Sequence, residues 1–410
     1  MRILFISIYY YPDGGAAAPL FTMLCEALVQ RGHSVTVVTT VPHYPSGKVS
    51  EAYRGWSIKK TVENGVQVIR IPMPSINRKR LAARLLQFVI YQILATVSSL
   101  RLDFDVFVSH SSALEVWLPF MVNAAIRRKP SVYSVHDIYP DVGIKLGIFK
   151  GKFLISLFTW LEKSCLSCAS KIRVLSSSFI TRLQAFGVPE NKIHLIYDWV
   201  EGDSKKFLPK CNSFSSEYNL NDTFNVVYAG NMGGVQGLET VLESAAILHQ
   251  EKLIRFVFVG DGTAKSDLME KTRHQGLSNV VFIPYQPRDK MPEVWASADV
   301  ALVILLKGAG FGALPSKTYS IMASARSILL SVDEESETWK LVNQAKAGMW
   351  VSPEDSTKLA EAILTLKEDK ALREHLGHNG RIWAEQHHSP QSAAEQFDKL
   401  LSEAITSCQS

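Results

Sequence analysis

Two stretches place proton-carrying or charged side chains directly after an apolar run. The first is Val132-Tyr-Ser-Val-His136-Asp137-Ile-Tyr-Pro140-Asp141. An imidazole where a strand ends can donate to a ligand hydroxyl or support positive charge developing beside it. Asp137 or Asp141 could orient that ring or a second reactant; alternatively Asp137 merely caps the next helix. The second stretch is Gly308-Ala-Gly310-Phe311-Gly312-Ala-Leu314-Pro315-Ser316-Lys317-Thr-Tyr-Ser320. Three glycines free the backbone, Pro315 stiffens the entry, and Lys317 falls where a helix should begin. A cation in a first helical turn opposes the helix dipole, so a solvated surface lysine is the costlier explanation. Backbone donors plus one ammonium, a point charge, suit a diphosphate.

Two glycine-rich segments accompany them, Tyr11-Pro-Asp-Gly14-Gly15-Ala-Ala-Ala18 and Tyr228-Ala-Gly230-Asn231-Met-Gly233-Gly234-Val-Gln236-Gly237. Each lies between a strand pattern and a helix pattern, where peptide N–H groups can meet phosphate oxygens; a tight turn would account for Gly14-Gly15 as well. Neither has the G-x-G-x-x-G spacing of a dinucleotide site, and no P-loop lysine is present. No acidic residue follows the first segment at the ribose distance, which disfavours a nicotinamide oxidoreductase.

The elements that must position these residues alternate. Apolar strands are expected at Arg2–Ile8, Ser34–Thr40, Val66–Ile71, Asp105–Ser109, Ser131–Val135, Lys171–Leu175 and Ile193–Ile196, with a helix over Ala17–Arg31. The pattern restarts with strands at Asn225–Ala229, Arg255–Val259, Asn279–Ile283, Val300–Ile304 and Ser327–Ser331 and a helix over Leu238–His249. Strands apolar on both faces belong to covered parallel sheets. The fold class expected is α/β, two Rossmann-like doubly wound domains facing across a cleft, over residues 1–200 and 223–389. Polar, aperiodic Glu201–Asp222 is the expected linker.

The bulk properties bound the function. Of 410 residues, 47% are hydrophobic and 20% charged, and the net charge is +5. That mild excess fits an anionic ligand or membrane surface, while a nucleic-acid binder would carry a denser basic stripe. Five scattered cysteines argue against a disulfide framework and for a reducing compartment, hence a cytoplasmic location. Cys165 and Cys168 could form half a zinc site, but no second ligand pair follows; a helix-buried thiol pair is the expectation, with no metal. The N-terminal apolar run is too short for a secretory signal. Leu81–Leu100 is apolar but interrupted by Arg84, Gln87, Gln92 and Thr96, a poor membrane span. With Arg78, Lys79 and Arg80 before it, it reads equally as a core helix or as a peripheral contact with anionic lipid on the inner membrane face.

Taken together, these motifs resemble the retaining glycosyltransferases of family 4, in particular those building bacterial surface polysaccharides. Arg31-Gly-His-Ser-Val-Thr-Val, Val259-Gly-Asp-Gly262, Ala298-Asp299-Val and Leu314-Pro-Ser-Lys317 extend the likeness along most of the chain. The resemblance implies a GT-B fold, no metal or other cofactor, and a nucleoside-diphosphate sugar, by family habit a UDP-hexose, held by the second domain. It implies retention, transfer to a glycan or lipid-linked acceptor, and a helix over Pro390–Ala404 crossing back onto the first domain. It assigns Gly262 and Ile283 to Tyr285 to the base pocket, Ser316 and Lys317 to the diphosphate, Gly14 and Gly15 to the same group from the first domain, and His136 to the transferred sugar. The chain also departs from the family pattern. Gly312 and Ser320 stand where two glutamates are common, the second for the ribose, and Asn231 and Gln236 stand where Arg and Lys are common. A catalytically weakened nucleotide-sugar-binding protein and a GT-B sugar-nucleotide epimerase are therefore the alternative readings.

Overall fold

The computed structural model describes residues 1–13, 17–44, 46–76, 81–137, 151–200, 208–309 and 314–409, without the side chains of 81, 82, 288 and 409. It divides into two compact units, Met1–Asp198 with Pro390–Ser410, and Trp199–Ser389. Gly14, Gly15, Arg78, Lys79, Arg80, Asp141, Gly310, Phe311 and Gly312 lie outside the described residues.

The first unit is built on an eight-stranded sheet, in the order β3-β4-β2-β1-β5-β6-β7-β8. The strands are β1 (Arg2–Ile6), β2 (Ser34–Thr40), β3 (Lys59–Glu63), β4 (Val66–Ile71), β5 (Val106–His110), β6 (Ser131–Val135), β7 (Lys171–Val174) and β8 (Ile193–Leu195). All neighbours are parallel except β3, which pairs antiparallel with β4. β5 and β6 are buried at every position, as a sheet covered on both faces requires. The sequence reading did not anticipate β3, whose outward residues Lys60, Thr61 and Val62 are exposed. Its signal was the turn: Asn64 and Gly65 have φ of 47° and 84°, the two left-handed residues of a tight hairpin.

Helix α1 (Ala18–Gln30) has a proline in its first turn and stops before Gly32, whose φ is 88°. The helix Pro390–Gln409 packs on α1, with Asp398 accepting from Arg31 Nη2 at 3.0 Å. Helix α2 (Leu81–Leu100) spans the residues expected and turns Phe88, Tyr91 and Ala95 into the core. Cys165 is buried on the helix Lys152–Cys168, all five cysteines are free, and among the described residues no cluster of His, Cys, Asp and Glu could hold a metal.

The second unit has a six-stranded, wholly parallel sheet in the order β11-β10-β9-β12-β13-β14. Its strands are β9 (Phe224–Ala229), β10 (Ile254–Val259), β11 (Val280–Ile283), β12 (Val300–Ile304), β13 (Ser327–Ser331) and β14 (Gly348–Val351). The supposed linker Glu201–Asp222 is not featureless: Ser213–Glu217 is a helical turn closed by a capping box. The Asn212 side chain accepts from Ser215 N at 3.0 Å, and Ser215 Oγ accepts from Asn212 N at 2.8 Å.

Candidate active site

In open parallel sheets, ligand sites form beyond the carboxyl ends of strands where the strand order reverses. In the first unit that point lies between β1 and β5. His110 ends β5 there, buried, with Nδ1 2.6 Å from the Ser111 carbonyl and Nε2 3.0 Å from Ser7 Oγ just past β1. A carbonyl only accepts, so Nδ1 carries the His110 proton. On the neighbouring strand end, His136 follows β6. Phe21 of α1 stacks on His110 and meets His136 edge-on, with ring centroids 5.3 and 5.4 Å apart.

His136 is held from several sides. Ser111 Oγ accepts its backbone N–H at 3.0 Å and that of Asp137 at 3.2 Å. Its Nε2 lies 3.2 Å from Ser134 Oγ and 3.4 Å from Arg173 Nη1. Desolvation drives the imidazole down to about 3; Arg173 and His110 push the same way against the attraction of Asp198. His136 is therefore neutral at physiological pH. Asp137 sits beside it with an exposed side chain. Behind them, buried Glu162 accepts from Ala113 N at 3.1 Å and from Tyr133 Oη at 2.9 Å, tying the start of helix α3 (Ala113–Met121) to β6. Burial pushes its carboxyl up to about 7.

In the second unit the strand order reverses between β9 and β12. Lys317, the first residue of the helix Lys317–Ala323, reaches back to that point and places Nζ 3.8 Å from the centre of the Tyr228 ring on β9. Desolvation lowers Lys317 to about 7, and no carboxylate pairs with it among the described residues. The π face of Tyr228 supplies the attraction a counter-ion would otherwise give, worth ~0.5–2 kcal/mol. Gly230 makes room, since a Cβ there would stand 3.0 Å from Lys317 Nζ.

The remaining predicted residues divide. Gly262 faces the same loop, but packing accounts for its glycine: a Cβ would lie 2.4 Å from the Met232 carbonyl oxygen. Met232 N donates to Asp261 O and Ala264 N to Met232 O, stitching the 230–232 and 260–264 loops together. Gln236 spends its Oε1 on Gly233 N at 2.9 Å, closing its own turn. Asn231 and Ser316 are exposed, Leu314 and Ser320 half-buried. Ile283 was expected to line a pocket; its side chain is instead wholly buried in the core, and only its carbonyl, which accepts from Gly260 N at 3.1 Å, faces the loops. Tyr285 is 72% exposed. Tyr228, His110, Glu162 and Arg173 were not singled out from the sequence. For Tyr228, His110 and Arg173 the available signal was a polar side chain ending or interrupting an apolar strand; Glu162 lies on a helix, where the signal was a lone acid among apolar residues.

Two mostly parallel sheets of this order, each with a reversal point, are the two Rossmann-like halves of the GT-B fold. Residues 15–199 match the family described as "Glycosyl transferase 4-like domain" and residues 223–369 the one described as "Glycosyl transferases group 1". The chain is a glycosyltransferase, built of a glycosyl transferase 4-like domain followed by a group 1 domain. It is similar to WcaI of Escherichia coli, a glycosyl transferase provisionally assigned to colanic acid biosynthesis, with 27% identity over 389 residues covering 92% of this chain and 95% of that protein. Among solved structures it resembles sucrose-phosphate synthase from Thermosynechococcus elongatus, with TM-score 0.70, 17% identity and 99% and 100% of the two chains covered. It also resembles Anabaena HepE in complex with UDP, with TM-score 0.66, 16% identity and coverage of 98% and 100%. At these identities the structural likeness speaks to fold.

Proposed function

We propose that the chain transfers a hexose from a UDP-sugar, with retention and without a metal or other cofactor, to a glycan or lipid-linked acceptor in surface-polysaccharide or glycolipid synthesis. The observation that carries this is Lys317: an ammonium with no carboxylate partner among the described residues, held over Tyr228 at the reversal point of the second sheet. A diphosphate is the counter-charge it lacks. As the sugar–phosphate bond breaks, negative charge grows on the diphosphate and positive charge on the anomeric carbon. A pre-placed cation favours that separation, usually the largest catalytic contribution. Retention follows if the acceptor attacks from the leaving-group face and a phosphate oxygen takes its proton. Support for the donor and pathway comes from the UDP bound by HepE and the colanic acid assignment of WcaI.

A second reading, a weakened nucleotide-sugar binder, is favoured by the Gln236 side chain being used within its own turn and by Ser320 at the family's ribose-glutamate position. A thermal-shift screen of UDP, GDP and ADP sugars, followed by turnover on the best donor, separates the two. The transferase reading expects a UDP-sugar to stabilise the protein, turnover unaffected by EDTA, and Lys317→Ala to lower transfer at least a hundredfold while unfolding at nearly the parent temperature. Equal turnover by Lys317→Ala and parent removes the lysine from the mechanism. Binding without turnover selects the second reading, and sugar inversion without acceptor an epimerase.

A cytoplasmic protein seated peripherally on the inner membrane face completes the proposal. Leu86, Val89, Ile93, Val97 and Leu100 form an exposed stripe along α2, and Phe153, Leu154, Leu157 and Trp160 one on the helix Lys152–Cys168. The basic run Arg78-Lys79-Arg80 directly precedes α2 in sequence.

A further inference from the structure

His136 has two nitrogens, and which one carries the proton decides whether it meets a ligand as donor or acceptor. Its Nε2 faces Arg173 Nη1 at 3.4 Å and Ser134 Oγ at 3.2 Å. A guanidinium has only N–H groups and does not lose a proton in proteins. Arg173 is itself fully buried and anchored twice more: Nε donates to the Ile196 carbonyl at 2.7 Å and Nη2 to Asp198 Oδ1 at 2.6 Å, and Nη1 also lies 3.4 Å from Ser134 Oγ.

We propose that Arg173 is a positioning residue that fixes the tautomer of His136: by presenting only N–H to Nε2 it keeps that nitrogen a lone-pair acceptor and puts the single proton on Nδ1. Resting on the reading of His136 as a side chain near the transferred sugar, this makes the imidazole a permanent neutral N–H donor to a sugar hydroxyl rather than an acid or base. The carboxylate of Asp198 matters as the clamp that aims the guanidinium. Among the described residues, the charged and titratable groups acting on the ring from the packed elements are Arg173 of β7, Asp198 beyond β8 and His110 of β5. Two of the three oppose protonation, and burial opposes it further.

The test needs no substrate. The full chain labelled with 15N-histidine, with His136 assigned by its loss in His136→Asn, is titrated from pH 5 to 8 and the two ring nitrogens read directly. The expected result is a neutral, Nδ1-protonated ring throughout. In Arg173→Met the ring becomes a mixture of tautomers, or one that titrates between pH 5 and 7. Ser134→Ala, which removes the other Nε2 neighbour, leaves the Nδ1–H form unchanged. An Nε2–H tautomer or a midpoint near 6.5 in the parent overturns the proposal. So does a tautomer switch in Ser134→Ala with none in Arg173→Met. Should Arg173→Met not fold, Asp198→Asn loosens the same clamp, and the parent spectrum decides by itself. In turnover, the parent kcat is flat from pH 5.5 to 7.5 as far as this ring is concerned, while Arg173→Met loses tenfold or more on the acid side. Failure to find any donor would end the transferase reading and leave the tautomer result standing.

Discussion

At the scale of single residues, the account turns on how Lys317 is made reactive to charge. Desolvation brings it to about 7, so near neutrality about half of the unliganded molecules carry the ammonium. A diphosphate binds the protonated form. UDP affinity should therefore be greatest below pH 7 and weaken above it, approaching tenfold per pH unit; calorimetry between pH 6 and 8.5 reads this slope, and Lys317→Ala should abolish it. The lysine was legible from the sequence because Pro315-Ser316-Lys317 follows three glycines and sets a cation against a helix dipole. Tyr228 was not, because a tyrosine inside a buried strand looks like core until a distant residue is folded over it. Ile283 was misread for the converse reason. The last residue of a strand lies near the carboxyl edge, but the pleat decides which way its side chain points, and here it points into the core.

At the scale of elements, Glu162 joins three of them: the helix that carries it, the start of α3 and β6. Its carboxyl is raised from 4.5 to about 7, so ionising it costs more in the folded chain than in the unfolded one. Its contribution is fully present below the unfolded value and is lost as pH rises through 7, on the order of 3 kcal/mol. Glu162→Gln should flatten the loss of stability of the first unit between pH 5.5 and 8, measured by denaturant unfolding. An unchanged slope would mean Glu162 contributes nothing to it. The exposed stripe on α2 makes a separate prediction. Vesicles with anionic lipid should bind the protein at low salt, Val89→Glu with Ile93→Glu should release it, and indifference of the parent to such vesicles rules the contact out. Several elements were readable to the residue, among them β2, β4, β6, β12, β13 and α2, because their apolar runs have the length of one structure only. β3 escaped because both faces of this edge strand reach water, leaving no apolar pattern to show. The turn inside 201–222 escaped because its capping box is made of Asn and Ser, residues equally at home in loops.

At the scale of the whole molecule, two units with separate cores each bring candidate site residues to a sheet reversal by the same topology. The repetition of strand, glycine-rich loop and helix made that division readable. Contacts between distant segments, such as Lys317 on Tyr228 or Arg173 on His136, were not readable, since they exist only once the chain has folded. The proposed function places the nucleotide on the second unit. Hydrogen exchange with and without saturating UDP tests this most directly. Protection should rise at 228–237, 260–264 and 305–320, around the ends of β9, β10 and β12, and change little over 1–198. Protection confined to the first unit, or none anywhere once binding is saturated, would contradict it.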